Sequence, residues 1–163
     1  MKQLELSLKY EQFTDRSELP EDEKQLLEKA FEASRLAYAP YSEFFVGAAV
    51  QLENGEIILG NNQENGAYPS GLCAERTALF AVGAAGKAGG IRKIAIRAHS
   101  KVFRVNHPIG PCGACRQVMV EYEKLSGQEM VVIMQGEDGD ILKLKGVAKH
   151  LLPFTFDLLS LKI

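Results

Sequence analysis

The 163-residue chain has no long apolar run. No stretch approaches the roughly 20 apolar residues that a membrane-spanning helix needs. The opening Met1-Lys2-Gln3-Leu4-Glu5 lacks the apolar core of a secretory signal, so a cytoplasmic protein without a membrane partner is expected. Charge of one sign is not in excess either. Lys and Arg total 19 against 21 Asp and Glu, for a net charge of −2, and no basic tract stands out, which argues against a polynucleotide held by its phosphates. Cysteine is scarce and odd in number, with three in all, which excludes a fully paired disulfide framework. Gly83-Ala84-Ala85-Gly86-Lys87 lacks the spacing of a phosphate loop and the Ser or Thr that follows one, and it reads as a helix exit. No repeat, low-complexity tract or linker divides the chain. With a hydrophobic share of 46%, a single domain over residues 1–163 is expected.

What is present is concentrated in two short stretches that hold every cysteine. They are Pro69-Ser70-Gly71-Leu72-Cys73-Ala74-Glu75-Arg76 and Pro111-Cys112-Gly113-Ala114-Cys115-Arg116-Gln117. Two residues separate Cys112 from Cys115, so at a helix start both sulfurs face one side of the first turn and can grip one ion. Cys73 follows a Pro-Ser-Gly turn, and Leu72, Ala78, Leu79 and Val82 behind it recur at helical spacing. Both halves therefore place thiols at helix N-termini, where unpaired N–H groups favour the thiolate that a metal requires. Three sulfurs leave one corner of a tetrahedron open, as in catalytic rather than structural zinc sites. Glu75, two residues after Cys73, is placed to handle protons for a water at that corner.

The flanking pattern supplies a scaffold. Residues 20–38 read as an amphipathic helix, with Leu26, Leu27, Ala30 and Phe31 on one side. Residues 44–52 and 56–61 flank Asn54-Gly55, a tight hairpin signal. Helices are expected over 72–85 and 113–125, with strands over 91–98, 130–135 and 141–145. Helix, hairpin, helix, strand, helix, hairpin implies an α/β fold, a mixed five-stranded sheet between helical layers. Leu4, Leu6, Leu8 and Tyr10 alternate with polar residues, so an additional N-terminal arm over about residues 1–15 reads as an edge strand or subunit contact.

The sequence resembles the zinc-dependent cytidine deaminases, in particular the small homotetrameric kind with a three-cysteine site. The resemblance spans residues 25–156 and runs through ordered blocks. These are Pro40-Tyr41-Ser42 with Phe44-Phe45-Val46-Gly47-Ala48, Asn62-Gln63-Glu64-Asn65 with Ala67-Tyr68, Cys73 to Ala78, Pro111 to Gln117, and Leu151-Leu152-Pro153 with Phe156. The signature of a Glu beside one ligand and a later Pro-Cys-x-x-Cys is that of zinc deaminases generally. The resemblance implies a three-layer α-β-α sandwich, one zinc per chain on Cys73, Cys112 and Cys115, and Glu75 as proton shuttle. It implies that Arg76 hydrogen-bonds a ligand sulfur, drawing charge off a cluster whose three thiolates leave the divalent ion net negative. Asn62 and Glu64 match the pair that binds ribose hydroxyls, Phe44 the aromatic that packs on the pyrimidine, and Ala74 a residue offering its backbone to the base. Phe156 matches an aromatic contributed by a neighbouring subunit of a homotetramer.

The implied reaction is hydrolytic deamination of cytidine and 2′-deoxycytidine to the uracil nucleosides and ammonia; a deaminase of another aminated nucleoside is the near alternative. The rival from a different class is a structural zinc scaffold with His107, His99 or His150 closing the fourth corner. The Ser100 to Gly110 connection is longer than usual for the family, leads directly to Cys112, and carries Phe103-Arg104-Val105 and His107.

Overall fold

In the computed structural model, which describes residues 1–157, six strands form one mixed sheet of order β1-β6-β5-β4-β2-β3. The elements in chain order are β1 (Glu11–Phe13), α1 (Glu21–Ser34), β2 (Phe44–Leu52), β3 (Ile57–Asn61), α2 (Ala74–Ala84), β4 (Ile91–Ser100), α3 (Gly113–Ser126), β5 (Val131–Gln135), β6 (Ile141–Lys145) and α4 (Val147–His150). Only β4 and β5 run parallel, joined through α3; the other neighbours are antiparallel. No helix among the described residues is long and apolar enough to cross a membrane.

The strand period of two divides the core into two layers. Ala48 and Val50, Ile94 and Ile96, and Val132 and Met134 pack beneath α2 and α3 with Leu79, Val82 and Met119. Ala49, Ala95 and Ile133 point the other way, against Leu26, Leu27 and Ala30 of α1. Strands buried on both faces read as near-continuous apolar runs, as β2 and β5 do. The expected three-layer sandwich is what forms.

The sheet has six strands where five were expected, and the sixth is not where the apolar alternation lies. Leu4, Leu6, Leu8 and Tyr10 are exposed and form no strand; pairing begins at Glu11 and runs Glu11 with Lys143, Gln12 with Leu142 and Phe13 with Ile141. Phe13 supplies the reason, because its half-buried ring packs against the α1 layer and brings the backbone onto β6. α1 also stops at Ser34 rather than 38, since Tyr38 is drawn into a bridge with Gln63: its N–H donates to the Asn62 carbonyl at 3.0 Å and its carbonyl accepts from Glu64 N–H at 2.8 Å.

The sequence reading contained no α4. Four residues cannot hold a helix alone. The buried Glu123 carboxylate of α3 holds this one, accepting from the N–H groups of Val147 (2.8 Å) and Ala148 (3.1 Å) and from Met130 (2.8 Å). The close seating of α2 depends on Gly60 in β3, where a Cβ would lie 2.3 Å from the Ala78 nitrogen. No side chain fits between that strand and the helix that begins at the first cysteine.

Candidate metal centre and active site

Cys73 is the N-cap of α2 and Cys112 the N-cap of α3, both with extended backbone and neither capping its own helix with its side chain. Cys115 sits one turn into α3 and is fully buried. The three Sγ atoms lie within 4.8 Å of one another, with Cys73 to Cys112 at 3.8 Å and Cys112 to Cys115 at 3.6 Å. Tetrahedral zinc with Zn–S bonds of about 2.3 Å needs sulfur separations of about 3.8 Å. The sulfurs thus match the ion in type, number and spacing.

Electrostatics around them suit a metal as well. The Cys73 thiol is pulled down to about 5, chiefly by the hydrogen bond from Cys115 and further by Arg76, while the Cys115 thiol is pushed up by that same shared proton, by burial and by Glu75. Metal uptake by cysteine thiols releases protons. Arg76 Nη2 donates to Cys73 Sγ at 3.8 Å and to the Gly71 carbonyl at 3.4 Å, and its buried Nε has no partner among the described residues. A positive guanidinium with a free donor thus lies against the Cys73 sulfur.

Among the described residues no histidine joins the cluster. His107 is exposed on its loop, His99 shares a hydrogen bond with Ser34 Oγ at 3.0 Å, and His150 Nδ1 accepts from Lys9 N–H at 3.3 Å. An imidazole-closed scaffold site therefore finds no support.

Cys73 and Cys112 line a cavity of about 590 Å³, within the usual range for small-molecule sites. Glu75 lines it with Cys73, Cys112 and Arg76, and is 4% exposed. Burial raises its carboxyl above the ordinary range, and the neighbouring Cys73 adds to the effect. It lies beside the metal cluster without belonging to it.

Phe44, Asn62 and Glu64 also line the cavity, over a floor containing Val46 and Ile96. The side chain of Asn62 bridges to β2, its Oδ1 accepting from Val46 N–H at 2.8 Å and its Nδ2 donating to the Phe44 carbonyl at 3.0 Å. Glu64 accepts from the N–H groups of Tyr41 (2.9 Å) and Ser42 (3.3 Å) and from the Ser42 hydroxyl. Burial pushes its carboxyl up, but these donors outweigh burial and the net shift is downward. Ala74 is buried in the core beneath α2 and does not line the cavity, and Phe156, exposed near the C-terminal end, lies away from it, its carbonyl accepting from Gln117 Nε2 at 2.9 Å.

Sequence reasoning assigned no role to Ser42, which orients Glu64, or to Ile109 and Gly110, which reach the cavity from the long connection. The Pro40-Tyr41-Ser42 block was the available signal for the first. For the other two the signal was the length of the Ser100 to Gly110 connection and its direct lead to Cys112.

Comparison with known proteins agrees with this site. Residues 20–134 match the sequence profile of the cytidine and deoxycytidylate deaminase zinc-binding region. The chain is 40% identical to a cytidine deaminase of Halalkalibacterium halodurans, over 83% of this chain and 94% of that one. It is 41% identical to one of Sporosarcina psychrophila, over 83% and 91% respectively. The crystal structure of cytidine deaminase from Burkholderia pseudomallei superposes with a TM-score of 0.70 at 41% identity, covering 81% of this chain and 97% of that one. That from Mycobacterium tuberculosis gives 0.64 at 32% identity, covering 84% and 98%. With the three sulfurs gathered at the head of two helices and a matching profile across most of its length, the chain belongs to the cytidine and deoxycytidylate deaminase zinc-binding family.

Proposed function

We propose that the protein hydrolyses cytidine and 2′-deoxycytidine to uridine and 2′-deoxyuridine, releasing ammonia, with one zinc on Cys73, Cys112 and Cys115. The observation that carries this is the conjunction of the three-sulfur cluster with a buried carboxylate on the wall of one nucleoside-scale cavity. Zinc held there would supply the Lewis acidity that lowers the pKa of water toward neutrality. Glu75, poised by burial to take up a proton, accepts one from the attacking water and delivers it to N3 of the pyrimidine as C4 is attacked. The carboxylate then takes the remaining proton from the new C4 hydroxyl and passes it to the exocyclic amine, which leaves as ammonia as the C4 carbonyl forms. Arg76 holds the Cys73 sulfur and tempers its charge.

Phe44 presents a ring to the base. Asn62 and Glu64 face the sugar, Glu64 held in place by Tyr41 and Ser42. In a homotetramer, Phe156 of a neighbouring subunit completes the site; the exposure of Phe154 (90%) and Phe156 (66%) supports an interface there. The compartment that fits three reduced thiols is the cytoplasm.

The direct test is ammonia release from cytidine before and after chelator treatment. Turnover that disappears with the chelator and returns with zinc supports the reading; no release by zinc-loaded protein overturns it. The sugar contact is tested by Glu64→Ala. A hydrogen bond to a charged group is worth about 1.5–3 kcal/mol, so affinity for the nucleoside should fall roughly 10- to 100-fold while that for the free base changes little. Equal losses on nucleoside and base would argue against a ribose contact.

A further inference from the structure

The connection between β4 and α3 is tied down along its length. Ser100 Oγ and Lys101 N–H both donate to the Glu43 carbonyl, at 3.0 and 3.3 Å, and Val102 N–H donates to Ser100 Oγ at 3.1 Å. Arg104 pairs with Asp138 in the β5–β6 turn, and the fully buried Val105 accepts from Glu137 N–H at 2.7 Å. The contact is close enough that a Cβ on Gly136 would lie 2.3 Å from the Val105 carbonyl oxygen. This strap is a built element that ends at the cavity with Ile109 and Gly110.

Its exposed ring, Phe103, stacks on Phe44 with centroids 6.0 Å apart and planes 16° from parallel. Phe44 lines the cavity and Phe103 does not. The same hydrogen bonds that anchor the strap hold Glu43, the residue before Phe44, in a left-handed conformation (φ 51°) that a non-glycine residue adopts only under constraint. Strap and cavity wall are therefore fixed to each other twice, through backbone and through rings.

We infer that Phe103 is a positioning residue for the substrate base: it backs the Phe44 ring and holds it as the flat wall against which an aminated pyrimidine packs. The inference rests on the deaminase reading above. Without a second ring, Phe44 keeps its place on β2 but its ring is free to tilt, so ground-state binding suffers while the proton chemistry at Glu75 does not.

The test compares Phe103→Ala and Phe103→Tyr in zinc-loaded protein, by calorimetric affinity for uridine and by KM and kcat on cytidine. Phe103→Ala should weaken uridine binding and raise KM about three- to tenfold, the scale of one aromatic pair, with kcat, zinc content and melting temperature essentially unchanged. Phe103→Tyr, which keeps the stack, should restore both affinities. Uridine affinity unaltered by Phe103→Ala in an active protein overturns this role alone, as does an equal loss in Phe103→Tyr. Absence of cytidine turnover by the wild-type chain removes the deaminase reading and this inference with it.

Discussion

Glu75→Gln should lower kcat on cytidine by about 10² to 10⁴-fold, the range for loss of a general acid–base group, while leaving one zinc per chain. The amide matches the carboxylate in shape and fills the same 4%-exposed position at the start of α2. It can neither take the proton of water for N3 nor carry the second proton to the leaving amine. The sulfur cluster does not include Glu75, so the metal should stay.

Stability separates this loss from misfolding. Burial raises the Glu75 carboxyl above its unfolded value of about 4.3, so in the metal-free protein the native state binds the proton more tightly than the unfolded chain. Its contribution is favourable at low pH and is lost as pH rises through the raised native value. Glutamine removes that dependence, so metal-free Glu75→Gln should melt no lower than wild type at pH 8. Near-wild-type turnover with stoichiometric zinc would take Glu75 out of the mechanism.

Cys115→Ala should abolish both metal binding and turnover. Cys115 is the buried member of the trio, reached by Cys112 from the α3 N-cap at 3.6 Å and by Cys73 across the α2–α3 junction. Two sulfurs on one ion leave half of a tetrahedron to solvent, and the link between the two helices is lost. Zinc that binds only the folded state stabilises it by about 4 kcal/mol at a thousandfold excess over Kd. For a chain of this size that raises the melting temperature by roughly 8–16 °C. The expected result is a zinc-dependent rise in wild type, none in Cys115→Ala, and zinc content near zero after dialysis. A variant that keeps stoichiometric zinc and measurable turnover would show that the ion is held elsewhere.

The parts of the site legible beforehand were those whose chemistry is carried by local spacing. Cys112 and Cys115 share one helical turn, and Cys73 and Glu75 straddle one helix start, so each pair was placed by helix geometry alone. The hairpin at Asn54-Gly55 was legible for a similar reason: Gly55 adopts φ 83°, and its N–H closes the turn onto the Leu52 carbonyl at 2.9 Å. The alternation of Leu4 to Tyr10 misled because a period of two marks a face without supplying an edge to pair with. Pairing began instead where Phe13 had a core to enter.

The amino-acid order by itself pointed to the three-cysteine metal cluster and the layered class of the fold, since each depends on residues a few positions apart or on a repeated apolar period. Tertiary structure alone decided that α2 and α3 bring their first turns together, that Ser42 hands its hydrogen bonds to Glu64, that Glu123 caps a helix some two dozen residues onward, and that a strap from β4 sets Phe103 against Phe44. Those contacts join residues far apart in the chain, and their strength comes from burial and backbone geometry that exist only once the sheet has formed.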